Sequence, residues 1–432
     1  MAISPPKVLI ISYYWPPAGG PGVQRWLKFV KYLPDFGIEP VVYVPENPTY
    51  PIVDENWIGE VAADTVILRQ KIWEPYRIAA FFSEKSTLKM SAGLITEEKK
   101  QGFFERISIW VRGNVFVPDA RVLWVKPSIA FLTKYISENQ INTIITTGPP
   151  HSLHLIGLGL KKKLGVNWIA DFRDPWTTIG YQKSLKLSRF AQQKHLRLEQ
   201  QVLNAVDQIV VTSNSTKLEF LRLTNKPIEV IMNGFDPFDS GDVVLDSKFS
   251  MAHIGSLLSG RNPEFLWQIL SEMLLEIPGF KNHFELVLIG VVSDDVLQIL
   301  QKFALCKYVL KVGYISHNEA IEYQKKSQIL LLIEINSELN RGIIPGKLFE
   351  YLAANRPIIA IGPSGSDFEK IIDTTRSGIF VDYDSKSKLK VALIHYYQLF
   401  LQGNLNVNAS NLEGFTRRNL TENLSEIIKK FN

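Results

Sequence analysis

The chain reads as short, continuously apolar runs separated by longer stretches in which apolar residues recur every third or fourth position. The runs fall at 8–12, 41–44, 66–68, 143–147, 167–171, 208–212 and 229–232. A second set falls at 251–254, 285–289, 309–312, 329–333, 357–361 and 379–381. They are rich in Val and Ile, and most lack the alternation of a half-exposed strand. Continuous apolar runs of this length fit parallel strands buried on both faces. Between them, 24–36 places Leu27, Val30 and Leu33 on one helical face, and 185–203 and 263–276 repeat the pattern. Strands alternating with helices predict an α/β, doubly wound architecture.

The two sets are parted by a turn cluster, Asn233-Gly234-Phe235-Asp236-Pro237, and by the aperiodic Asp239-Ser240-Gly241-Asp242. With 432 residues and 46% hydrophobic content, the chain exceeds one ordinary core. The reading is a first domain over 1–240 and a second over 241–410. Residues 70–135 form an irregular, helical insertion in the first. The early apolar run stops at Ser12 and Pro16-Pro17, so no secretory leader is expected. No uncharged run reaches the roughly 18–20 residues of a spanning helix. A cytoplasmic location is expected, also compatible with the single cysteine, Cys306, which excludes a disulfide framework or Cys-rich zinc cluster.

Charge changes the picture in one place. The chain carries a formal +5, and residues 69–126 hold eleven Lys/Arg against six Asp/Glu, the same excess. Trp73, Tyr76, Phe81, Phe82, Phe103, Phe104, Trp110, Phe116 and Trp124 lie in that stretch. Basic residues among aromatics suit an anionic membrane surface or an acidic lipid-linked acceptor; an ordinary insertion with solvated charges has the same composition. No nucleic-acid module surrounds the basic stretch, and none is expected as a partner.

Candidate chemistry collects where strands end. Gly19 and Gly20, in Pro17-Ala18-Gly19-Gly20-Pro21-Gly22, lie between a strand and a helix, where backbone amides can approach a phosphate or sugar. The spacing is not the Gly-x-Gly-x-x-Gly of a nicotinamide site, and only Glu46 stands near its acidic position. His151, after Thr146-Thr147-Gly148-Pro149-Pro150, could meet a sugar hydroxyl or simply bond local backbone. In Asp171-Phe172-Arg173-Asp174, Arg173 could pair with Asp171 or Asp174, and either carboxylate could meet an acceptor. Arg261, in Gly260-Arg261-Asn262-Pro263, could grip a diphosphate or remain a surface arginine. The richest segment is Arg341-Gly342-Ile343-Ile344-Pro345-Gly346-Lys347, running into Leu348-Phe349-Glu350-Tyr351-Leu352-Ala353-Ala354. Pro345 and Gly346 suit a helix start. Lys347 in the first turn opposes the helix dipole unless an anion is present. Glu350 shares its face and is suited to ribose hydroxyls, or to a surface pair with Lys347.

In order along nearly the whole chain, these pieces resemble glycosyltransferase family 4, retaining enzymes of the GT-B fold. The Gly19-Gly20 loop, Gly148-Pro149-Pro150-His151, Asp171–Asp174, Asn233–Asp236, Gly255-Ser256, Gly260–Asn262 and Lys347–Tyr351 carry the resemblance, closest to a branch with a Gly-Lys-Leu-Phe-Glu-Tyr-Leu-Ala segment. It implies two Rossmann-like domains facing across a cleft, with residues 411–432 a helix returning to the first. It implies a sugar-nucleotide donor held by Gly19, Gly20, Gly255, Ser256, Arg261, Gly346, Lys347 and Glu350, with catalytic roles for His151, Lys347 and Arg261. Asp171, Arg173 and Asp174 would lie on the acceptor side. It implies sugar transfer with retention in polysaccharide or glycolipid synthesis, with no metal and no cofactor beyond the donor. Two positions depart from the family: Gly342 stands where a sugar-contacting glutamate is usual, and Ser256 where an arginine is. Amides of 342–346 or Glu338 are the candidate replacements. A sugar-nucleotide-binding subunit without catalysis, and a non-hydrolysing nucleotide-sugar epimerase, are the competing readings.

Overall fold

The structure, a computed structural model, describes residues 5–74, 103–179, 185–238 and 243–431. The chain divides into two units, Met1–Asn233 with Arg417–Asn432, and Gly234–Thr416. Tyr76, Phe81 and Phe82 of the basic-aromatic stretch, and the Asp239–Asp242 turn, lie outside the described residues.

Unit 1 is built on seven parallel strands: β1 (Lys7–Ile11), β2 (Glu39–Pro45), β3 (Val66–Gln70), β4 (Thr143–Gly148), β5 (Asn167–Phe172), β6 (Gln208–Val211) and β7 (Ile228–Val230), in the order β3-β2-β1-β4-β5-β6-β7. Each apolar run of the first set became one of these strands. The burial explains why the runs do not alternate. Leu9, Ile11, Val41 and Tyr43 pack into one core, and Val8, Ile10, Val42 and Val44 into another on the opposite face. Both faces of the pleat are covered, so both parities must be apolar.

Helix Pro21–Tyr32 closes the second face, and helix Arg417–Lys429 packs beside it. Leu420, Leu424, Ile427 and Ile428 recur at helical spacing and join Trp26, Phe29 and Val30 in that core. Gln24 accepts from Arg417 Nη2 at 2.6 Å, and Asn167 Nδ2 donates to the Phe431 carbonyl at 3.0 Å. The terminal helix therefore belongs to unit 1. Within the insertion, helices Phe103–Asn114 and Val125–Glu138 are described.

Unit 2 has six parallel strands: β8 (Phe249–Ile254), β9 (Phe284–Ile289), β10 (Val309–Gly313), β11 (Ile329–Ile333), β12 (Ile358–Gly362) and β13 (Gly378–Asp382), ordered β10-β9-β8-β11-β12-β13. Both sheets share one topology. Chain order runs outward one way from the first strand, then reverses at the fourth. Crevices form at such reversals, outside the carboxyl ends of the two central strands. In unit 1 these are β1 and β4; in unit 2 they are β8 and β11.

Candidate functional site

The reversal point of unit 2 gathers the segments that the sequence singled out. β8 is followed directly by Gly255, whose φ of +119° is costly for any residue with a side chain. A Cβ there would also stand 3.1 Å from Lys347 Nζ. The adjacent strand, β9, is followed directly by Gly290, where a Cβ would lie 2.8 Å from the Gly255 carbonyl oxygen. Two bare glycines thus open the edge of the sheet beneath Lys347.

Lys347 is the second residue of helix Gly346–Ala354, which starts after Pro345 with no side-chain cap. Leu348, Phe349, Tyr351 and Leu352 are buried and anchor the helix, leaving Lys347 and Glu350 on its half-buried side. The Tyr351 hydroxyl accepts from the Ile254 amide at 3.0 Å, which pins this helix to the end of β8. Lys347 Nζ lies 3.4 Å from His253 Nε2. Burial first, then the Arg261 charge, bring its pKa from 10.5 down to about 8, against the pull of Glu334 and Glu350. Among the described residues no carboxylate lies within ion-pair distance of Nζ.

Arg261, on the turn before helix Glu264–Glu276, meets Glu334 through Nε at 3.2 Å and Nη2 at 3.1 Å. Glu334, 2% exposed, follows β11 directly and also accepts from the Ile335 amide at 2.8 Å. Arg261 thereby has its carboxylate partner, met through Nε and Nη2, while Lys347 contributes the unbalanced charge. Glu350 pairs with neither cation. Its Oε2 accepts from Nε2 of the fully buried Gln324 at 2.8 Å, and Oε1 lies 4.0 Å from His317 Nδ1. The Glu350–Lys347 surface pair is therefore not formed.

Ser256 and Gly346 sit at the ends of the same two connections. Glu338 is 83% exposed at its side chain and paired with Arg341 at 3.2 Å, so its carboxylate is directed to a surface ion pair.

In unit 1, Gly20 begins helix Pro21–Tyr32 at φ +102°, and its carbonyl accepts from Val23 and Gln24. Gly19 donates its amide to Ile52. Asp171 is 1% exposed and fully engaged: Arg25 Nη2 and Trp26 Nε1 each at 2.9 Å, Thr147 Oγ1 at 2.8 Å. It holds the first helix to the sheet instead of pairing with Arg173. Arg173 instead donates to the carbonyls of Gly148 and Pro149, and passes so close to Gly22 that a Cβ there would lie 1.6 Å from Nη1. Asp174 is half-buried, and burial raises its pKa, opposed by Arg173 and reinforced by Asp171.

His151 is 5% exposed and stacks on Trp176 at 4.8 Å with a 3° tilt between rings. Neither of its ring nitrogens has a hydrogen-bond partner. Burial, with added repulsion from His154, Arg173 and His195, holds its pKa well below the usual histidine value. A neutral imidazole with both nitrogens unused suits a polar ligand group. Among the described residues no group of three or more His, Cys, Asp or Glu side chains is arranged to hold a metal ion.

The residues that sequence reasoning missed are supports: Arg25, Trp176, His253, Gln324 and Glu334. Glu334 carried a signal, a carboxylate at the end of an apolar run. Arg25 carried none, since a charge on an amphipathic helix is ordinarily solvated.

Residues 91–237 match the family described as Glycosyltransferase Family 4. No curated protein matches the chain in sequence. Solved structures resemble it over nearly its whole length. Sucrose-phosphate synthase from Thermosynechococcus elongatus is 14% identical, with 98% of each chain covered and a TM-score of 0.60. A glycosyltransferase from Rickettsia africae is 13% identical over 99% of each chain, also at 0.60. HepE of Anabaena, solved in complex with UDP-glucose, is 12% identical over 98% of this chain and 99% of its own, at 0.58. At such identities the likeness speaks for architecture: the chain has the GT-B fold, and over 91–237 it is related to glycosyltransferase family 4.

Proposed function

We propose that the chain is a glycosyltransferase that moves a sugar from a nucleoside diphosphate donor to an acceptor hydroxyl with retention, in polysaccharide or glycolipid synthesis. The observation that carries this is Lys347: a half-buried ammonium without a carboxylate partner, in the first turn of an uncapped helix, over the bare glycine that follows β8. Lysine charge and helix dipole oppose each other there, and a diphosphate relieves both.

In this reading Arg261 and Lys347 bind the diphosphate, Glu350 the ribose, and Gly255, Ser256 and Gly346 leave room for backbone approach. Departure of the diphosphate limits the reaction. Preorganised positive charge stabilises that leaving group, and no metal takes part. His151 meets a sugar hydroxyl as a neutral imidazole. Gly20 offers an amide in unit 1 beside Gly19, whose own amide is given to Ile52, and Asp174 with Arg173 forms the acceptor side. Attack comes on the face the leaving group vacates, with a donor phosphate oxygen taking the acceptor proton. Thermal unfolding against a panel of sugar nucleotides tests the donor: the matching one raises the midpoint. If none does, the proposal fails.

A second reading is favoured by Gly342, which supplies no carboxylate, together with the engagement of Glu334 and Glu338 elsewhere. There the chain binds a sugar nucleotide but serves an active partner. Transfer by the purified chain alone excludes it. We also propose a cytoplasmic protein in peripheral contact with anionic membrane. The support is the exposure of Trp73 at 56%, Trp110 at 49% and Ile107 at 44% within the basic stretch. No described helix is long and apolar enough to cross a membrane.

A further inference from the structure

His253 sits inside β8, two residues before Gly255, and is 0% exposed. A strand core is a costly place for an imidazole unless both nitrogens are used. One faces β11, where Nδ1 lies 3.0 Å from the Leu331 carbonyl oxygen. A carbonyl only accepts, so Nδ1 carries the proton and Nε2 keeps its lone pair. Nε2 lies 3.4 Å from Lys347 Nζ, a group that only donates. Beside a protonated Lys347 this pair of contacts requires a neutral ring. Burial and the Lys347 charge favour that state against backbone bonds to Leu331 and Ser256.

The rest of the surroundings converge on the same lysine. Gly255 lacks the side chain that would crowd Nζ, and Tyr351 ties the lysine's helix to the strand that carries His253. A lysine stem is flexible, and ordering it costs rotamer entropy on binding. A fixed acceptor meets that cost before the ligand arrives.

We infer that His253 is a positioning residue for the diphosphate subsite: anchored to Leu331 through Nδ1–H, it offers Nε2 to Lys347 and holds the ammonium over Gly255. The inference rests on the donor-site reading of Lys347 and Arg261. It adds that the imidazole itself, and not merely a strand residue of similar size, sets the chain's preference for diphosphate over bare nucleoside.

The test is calorimetric titration of the 432-residue chain with UDP and with GDP, each against its nucleoside. An affinity ratio does not depend on the fraction folded, so it separates positioning from loss of structure. His253→Asn keeps a donor near Nδ1 and removes the acceptor near Nε2. It is expected to lower the diphosphate-to-nucleoside ratio roughly five- to tenfold, the worth of one ordinary hydrogen bond. His253→Gln places an acceptor near Nε2 and is expected to restore most of the ratio. With Lys347→Ala already in place, His253→Asn is expected to change the ratio no further. A wild-type ratio retained by His253→Asn, or equal losses in the Asn and Gln variants, overturns the inference while leaving the donor site standing. If the wild-type chain prefers neither diphosphate over its nucleoside, it is the donor-site reading that fails.

Discussion

Replacing Lys347 with methionine should make the empty protein more stable and abolish its response to sugar nucleotide. The ammonium is held at a pKa of about 8 instead of 10.5. Each unit is worth about 1.4 kcal/mol, so the charged form at neutral pH carries a penalty of up to about 3 kcal/mol. The pull of Glu334 and Glu350 is already contained in that shift, and solvent screening at the residual exposure reduces what a substitution recovers, leaving about 1–2 kcal/mol. For a unit of this size that is a rise of about 2–4 °C per kcal/mol. The pH dependence gives a second handle. The unfolded lysine holds its proton up to about 10.4, the folded one only to about 8, so the unfolded chain binds more protons between those values. Wild-type stability therefore gains from this group as pH rises through that window, and the advantage of methionine shrinks. Thermal unfolding of Lys347→Met and wild type at pH 7 and pH 10, with and without sugar nucleotide, measures every quantity. A lower midpoint for the variant at pH 7, an advantage that does not narrow by pH 10, or an undiminished shift with donor would each refute the reasoning.

Other perturbations probe the supports. Arg25→Met strands the buried Asp171 carboxylate and should cost about 3 kcal/mol or more, read as a lower urea midpoint; an unchanged midpoint removes Asp171 from its structural role. His154, fully buried, is pushed down to about 3, and His151 is lowered too. The unfolded chain takes up their protons first, so their contribution is complete above about pH 6.5. It falls as pH drops, by about 1.4 kcal/mol per unit for His154 alone. His154→Phe should flatten the loss of urea stability between pH 7 and pH 5. Gln324→Leu frees Glu350 and should narrow the preference for UDP over 2′-deoxy-UDP roughly fivefold, the worth of one oriented hydrogen bond, by calorimetry.

Much of the architecture was legible because its causes are local. A strand covered on both faces must be apolar at every position, and that mark survives in the sequence without any partner being known. Strand ends moved by only a few residues: β7 is Ile228–Val230 where the pattern suggested 229–232, because pairing with β6 decides where a ladder stops. At the site, the helix start at Pro345-Gly346 and the shared face of Lys347 and Glu350 follow from helical spacing. Their partners did not follow, because nothing near Glu350 in sequence points to Gln324.

The sequence by itself therefore determined the strand–helix alternation, the turn cluster that parts the two sets, and the one-turn spacing of lysine and glutamate. These depend on neighbours a few residues away. Tertiary structure alone decided who meets whom. Arg25 finds Asp171 across 146 positions, Arg261 finds Glu334 across 73, and Lys347 finds His253 across 94. The reason is sheet order. Unit 2 sets β8 beside β11 although β9 and β10 lie between them in the chain, and the connections leaving those two strands supply the charges that meet at their ends.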